Sequence, residues 1–101
     1  MANQHYFLRL IPPRPSFPHD MTEAERALML EHVAYFQQQF AEGRLLIYGP
    51  VLSPTNSFGM AVVAAADEAE VRAMMQADPS VVGGLNSYEV LPMRVAAARG
   101  L

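Results

Sequence analysis

Two residues of this chain have types and settings that suggest proton chemistry. His32 lies inside a long stretch patterned as an amphipathic helix, and Asp78 stands between a short helical stretch and Pro79. A carboxylate brought against one imidazole nitrogen fixes the tautomer and leaves the other nitrogen free to take a proton. Each residue also has a plainer reading. A histidine at the edge of an apolar stripe often only hydrogen-bonds, and Asp-Pro often only marks the end of a helix. Arg14 and Phe17, in a loop crowded by Pro12, Pro13, Pro15 and Pro18, are a third feature. They either decorate a stiff connector or form a lid that brings a cation and a ring over a pocket. A metal site has little support: His5, His19 and His32 share no ligand spacing, and no H-x-x-x-H or E-x-x-H pair occurs.

The elements that must position these residues follow from periodicity. Thr22 with Glu25 forms a T-x-x-E capping box, so a helix is expected over Thr22–Glu42. Gly43 is placed for a left-handed stop. On this helix Met29, Val33, Phe36 and Phe40 fall on one stripe, with His32 on its border. Strands are expected at His5–Ile11, Leu45–Leu52, Phe58–Ala65 and Ser87–Arg94. The second is broken by Gly49-Pro50 and the last contains Pro92, which places both at edges or bends. Ser53–Ser57 reads as a hairpin turn. Asp67 caps a second helix that ends at Ala77, because Pro79 disfavours helical geometry at Asp78. Val81–Leu85 reads as a flexible connector and Val95–Leu101 as a frayed tail.

Composition narrows the class. The 101 residues suit a single domain, 1–101, with a modest core. The chain is 51% apolar and only 17% charged, against about 25% charged in average domains, so some apolar surface is expected to be covered by another chain. Net charge is −3 and lysine is absent, which argues against nucleic-acid binding. Cysteine is absent too, so there is no disulfide framework and no thiolate nucleophile. No apolar run approaches the roughly 20 residues that cross a bilayer. The N-terminus lacks the pattern of a signal peptide, and the expected location is the cytoplasm.

The order βαββαβ is the ferredoxin-like, split-βαβ arrangement of the α+β class. Right-handed crossovers place both helices on one face of an antiparallel sheet. Yet the second and third strands are apolar on both faces, so the uncovered face is expected to meet the same face of a second copy. The helices run antiparallel, and the second is about half as long as the first. Its C-terminal end, with Asp78, can therefore lie near the middle of the first helix, where His32 sits; the competing reading makes Asp78 an ordinary helix stop before proline.

Several short motifs, in order and spacing, resemble the YCII-related family. They are His32; Glu42-Gly43-Arg44-Leu45-Leu46 ten residues on; Gly49-Pro50; and Ala77-Asp78-Pro79 with Val82 and Gly84. The resemblance covers nearly the whole chain. The front loop Pro12–Phe17 is similar to one branch of the family, and the turn Asn56-Ser57-Phe58-Gly59 is shorter than the Gly-rich turn of other branches. The resemblance implies a dimeric α/β-barrel built from ferredoxin-like protomers, with a His–Asp site that maps to His32 and Asp78. One branch eliminates chloride from chlorinated hydroxyhydroquinones, and the wider superfamily includes muconolactone isomerases.

Two functions are therefore expected to compete. In the first, the chain is a small enzyme without a cofactor, in which His32 moves a proton on a small cyclic or aromatic molecule and Asp78 orients it. The reaction would be an elimination, an isomerisation or a hydrolysis. Tyr6, Phe36 and Phe58 would supply an apolar floor, Gly49 and Pro50 a close backbone approach, Phe17 a lid, and Arg14 a clamp for a phenolic or anionic oxygen. In the second, the same dimeric pocket binds a small ligand without turning it over.

Overall fold

Alternating apolar strands and two capped helices fold into one four-stranded antiparallel sheet with its helices on one side. The computed structural model describes residues 3–100, in the order β1 (Gln4–Ile11), α1 (Glu23–Ala41), β2 (Leu45–Val51), β3 (Phe58–Ala65), α2 (Glu68–Gln76), α3 (Pro79–Val82) and β4 (Ser87–Met93). The sheet order is β2-β3-β1-β4, the ferredoxin-like order. All four strands lie within one residue of their expected ends. Gly49-Pro50 and Pro92 sit on the two edge strands, where a missing N–H costs least.

Helix α1 starts on a complete capping box. Thr22 Oγ1 accepts the Glu25 N–H at 3.2 Å, and a Glu25 carboxylate oxygen accepts the Thr22 N–H at 2.9 Å. It ends in a Schellman turn, with Gly43 at φ +86° and the Arg44 N–H donating to the Gln39 carbonyl.

Strand register places Tyr6, Leu8, Leu10, Ala61, Val63 and Val90 on the helix-covered face, where they pack with Phe36, Val71, Met74 and Met75. Burying each large side chain of this set stabilises the fold by about 1.5–3 kcal/mol. On the open face lie Phe7, Met60, Val62, Ile47 and Leu91, all only partly covered. Arg9 and Glu89 oppose each other there, and the Arg9 guanidinium lies 4.3 Å from the Phe58 ring centroid. Among the described residues no helix is long and apolar enough to cross a membrane.

The structure corrects two expectations. The buried line of α1 runs through His32, Phe36 and Gln39, and not along the Met29–Phe40 stripe; Val33 is 46% and Phe40 50% exposed. The apolar residues of α1 span a wide arc, and the sheet and α3 cover only one flank of it. His32 consequently lies inside the packed face. The expected connector at Val81–Leu85 is partly helical: Val81 and Val82 close α3, a short helix capped by Asp78. Residues 94–100 carry no helix or strand, and Leu101 lies outside the described residues.

Candidate functional site

Pro79 sets the site up locally. Its fixed φ suits the first position of a helix, and the aspartate before it is a good N-cap. Asp78 accordingly caps α3: one carboxylate oxygen, Oδ1, accepts the Ser80 N–H at 2.8 Å and the Ser80 hydroxyl at 2.9 Å. The other, Oδ2, lies 2.7 Å from His32 Nδ1. Helix α3 ends in a second Schellman turn, with Gly84 at φ +73° and the Leu85 N–H on the Ser80 carbonyl. Gly83 lets α3 press against α1, since a Cβ there would fall 2.9 Å from the Leu28 methyls. The cap, the turn and the close packing together hold the carboxylate against the ring.

Asp78 is completely buried, and only 9% of His32 is exposed. A buried carboxylate must be hydrogen-bonded or paired, and this one has three donors when Nδ1 carries the proton. That tautomer leaves Nε2 with a free lone pair, and among the described residues no protein group bonds to it. The ring packs on Phe36 at 4.4 Å between centroids, and Phe36 meets Tyr48 edge-on at 5.7 Å. Nearby, Tyr35 donates its hydroxyl to the Met74 carbonyl at 2.8 Å. Burial, and then the Asp78 charge, push its phenol above the ordinary range.

His32 lines a cavity of about 360 Å³ between α1, the helix-side face of the sheet and the front loop. That volume falls within the roughly 300–1,000 Å³ of small-molecule sites. Leu8, Leu10, Met29 and Phe36 form much of its wall, and Phe17, Pro18 and His19 reach it from the loop. Of the residues expected at the site, His32, Phe17, Phe36, Gly49, Pro50 and Phe58 line this cavity. Asp78 stands behind it, reaching it through His32.

Tyr6 and Arg14 do not line the cavity. Tyr6 is buried in the sheet core, beneath the helices. The Arg14 guanidinium forms a fork with the Glu25 carboxylate, at 2.7 and 2.8 Å, and donates to the Asp20 side chain and carbonyl at 3.0 Å. Four of its five N–H donors tie the loop to the start of α1, and the structure does not bring it to the cavity as an oxyanion clamp. That pairing holds the Glu25 carboxyl well below the usual range, at about 2. Sequence reading also missed Ser80 and Asn86. The signal for Ser80 is D-P-S, an N-cap followed by proline at the first helical position; nothing in the sequence singles out Asn86. No group of three or more His, Asp or Glu side chains able to hold a metal occurs among the described residues.

Comparison with known proteins agrees with this architecture. The family model described as YCII-related domain matches residues 6–94. No curated protein matches the chain. Among solved structures, 5-chloro-2-hydroxyhydroquinone dehydrochlorinase (TftG) from Burkholderia phenoliruptrix AC1100, in complex with 2,5-dihydroxybenzoquinone, superposes with a TM-score of 0.66. It is 20% identical, and the match covers 88% of this chain and 93% of that one. At that identity the likeness establishes the ferredoxin-like fold.

Proposed function

The chain belongs to the YCII-related domain family, and on that premise we propose that it is a small enzyme moving a proton on a cyclic or aromatic molecule. His32 is the base and Asp78 the group that orients it. The observation that carries this reading is the 2.7 Å contact between a fully buried carboxylate and a ring that lines an apolar cavity. Nδ1–H donates to Asp78, so Nε2 faces the incoming molecule as a base. The proton it takes comes from a C–H or O–H of the ligand, and the imidazolium formed is stabilised by the Asp78 charge.

The electron pair left on the ligand then has two fates. It expels a leaving group, which is elimination, or it is re-protonated by the imidazolium at another atom, which is isomerisation. A water deprotonated at Nε2 would give hydrolysis. The reaction of the dehydrochlorinase, a protein of the same fold, is an elimination from a hydroxylated ring, which supports the first fate by analogy. The step draws on the two side chains and no cofactor.

The largely carbon lining of the cavity favours a second reading, a binding module that holds a ring without turning it over. Assay of chlorinated and unchlorinated hydroxyhydroquinones and small unsaturated lactones with wild type and His32→Asn separates the two. Turnover lost in the variant while binding persists supports the enzyme. Binding without turnover in both proteins supports the module.

We further propose a homodimer through the open sheet face, where Phe7, Val62 and Leu91 remain part-exposed and Arg9 Nε is buried without a hydrogen bond. Light scattering at micromolar concentration tests it: Val62→Asp should dissociate the dimer, and a folded wild-type monomer would refute it.

A further inference from the structure

Asn86 is a polar side chain in the wall of the cavity, only 6% exposed. A carboxamide offers two donors and two lone pairs. Among the described residues the one side-chain partner of Asn86 is the Met29 thioether, which accepts from Nδ2 at 3.4 Å. Sulfur of this kind is a weak acceptor, and buried polar groups are normally better satisfied than this. An apolar residue would close the wall without that deficit. Of the other polar side chains of the lining, the Ser57 hydroxyl is bonded to the Ser53 backbone, His19 is exposed on the loop, and the Tyr48 phenol stands on the edge strand β2, away from the support that Ser80 gives.

The placement of Asn86 is tied to that of the dyad. Its backbone N–H donates to the Ser80 carbonyl at 3.0 Å, and the N–H and hydroxyl of the same Ser80 hold Asp78 Oδ1. One short helix thus supports both the carboxylate behind His32 and the residue whose amide lies in the same cavity wall. A ligand seated against Phe36 and the leucines meets two polar groups that share this support, an imidazole and a carboxamide.

We propose that Asn86 is a substrate-contacting residue that selects rings bearing an oxygen. Its Nδ2–H gives up the Met29 sulfur and donates to a hydroxyl or carbonyl oxygen of the ligand. This rests on the cavity being the ligand site proposed above. The chemistry suits proton transfer by His32. When Nε2 removes a proton from a carbon next to a carbonyl, or from a ring hydroxyl, negative charge gathers on an oxygen. An N–H donor then strengthens its bond as the charge develops. The substrate class is therefore a small ring with at least one hydroxyl or carbonyl group, and the wall opposite favours an otherwise apolar body.

Paired ligands test this. Dissociation constants of 2,5-dihydroxybenzoquinone, hydroquinone and the oxygen-free p-xylene are measured by NMR titration for wild type, Asn86→Leu and Asn86→Ser. The serine variant serves if leucine prevents folding, since its hydroxyl is too short to replace the amide. The expected result is a tenfold or greater loss for the oxygenated rings with p-xylene binding kept or improved, a change in ratio that a packing defect would not produce. Equal losses for all three rings, or no loss for the oxygenated pair, would overturn the assignment. So would a wild type that binds none of them, and that result would remove the cavity reading as well. Selective binding lost at Asn86 with no turnover in any protein keeps Asn86 and discards the enzyme. Turnover abolished by His32→Asn with unchanged binding in Asn86→Leu keeps the enzyme and discards Asn86.

Discussion

Helix α1 carries a charged network at its first turn and another at its middle. At the first turn, Arg14 bridges Glu25 and Asp20, and Ser16 adds a bond to Asp20. In the middle, His32 meets Asp78, which Ser80 holds. The first has more bonds and full charges, but it stands at the surface, where water competes and each pair contributes little. The second has fewer partners but is buried, so losing the imidazole leaves Asp78 Oδ2 without water or protein to satisfy it. From the sequence His32 and Asp78 are the leading pair, while an arginine in a proline-rich loop suggests a clamp beside them. The structure shows it latching the loop that carries Phe17 to the cavity, while the plainer-looking Asp-Pro stop supplies the partner of the one buried histidine among the described residues.

Mutations in the two networks should differ in their cost. The largest effect is expected for His32→Ala, which leaves the Asp78 carboxylate buried with Ser80 alone. Denaturant unfolding should show a loss of about 3 kcal/mol, and turnover on an identified substrate should fall by about 10²–10⁴-fold. The border position read from the sequence would have implied little loss of stability. Asp78→Asn keeps shape but removes the charge that stabilises the imidazolium and frees the ring to take the other tautomer. A stability loss of about 1–2 kcal/mol is expected, with turnover reduced about 10–100-fold, less than for the base itself. Ser80→Ala deletes one of three donors to the carboxylate, and should cost about 1 kcal/mol in the same unfolding assay.

The smallest effect is expected at the surface latch, and it depends on pH. Pairing depresses the Glu25 carboxyl from 4.5 to about 2. Its contribution is therefore fully present above about pH 4.5 and lost as pH falls towards 2. Glu25→Gln should melt slightly below wild type at neutral pH, and the two curves should converge near pH 2. A gap that persists unchanged at pH 2 would mean that Glu25 acts by packing alone.

Much of the fold was legible because its signals are local. Short runs of β-forming residues between turn signals gave the four strands, T-x-x-E gave the start of α1, and the two prolines gave the edges. The pairing of His32 with Asp78 was legible because helix lengths in an antiparallel pair fix which ends meet. The face of α1 was not, because its apolar residues cover a wide arc and only tertiary packing chooses which part is buried. Helix α3 was overlooked because four residues carry no periodicity, although Asp78-Pro79 before Gly83-Gly84 held both of its caps. The place of Arg14 is not legible, because nothing in a sequence says whether a guanidinium finds a carboxylate of its own chain first. Asn86 gave no signal at all, since its role depends on what surrounds it.

The proposed chemistry requires that His32 present a free Nε2 to the cavity while Asp78 holds the proton on Nδ1. Long-range proton–nitrogen NMR on uniformly ¹⁵N-labelled protein reads this directly, at a pH where the ring is neutral, with His5 and His19 as references in the same spectrum. In the wild type His32 should show a protonated Nδ1 and an unprotonated Nε2, with the reverse mixture in Asp78→Asn, and its Nε2 shift should move when a hydroxylated ring is added. A His32 that carries its proton on Nε2 in the wild type would contradict this chemistry.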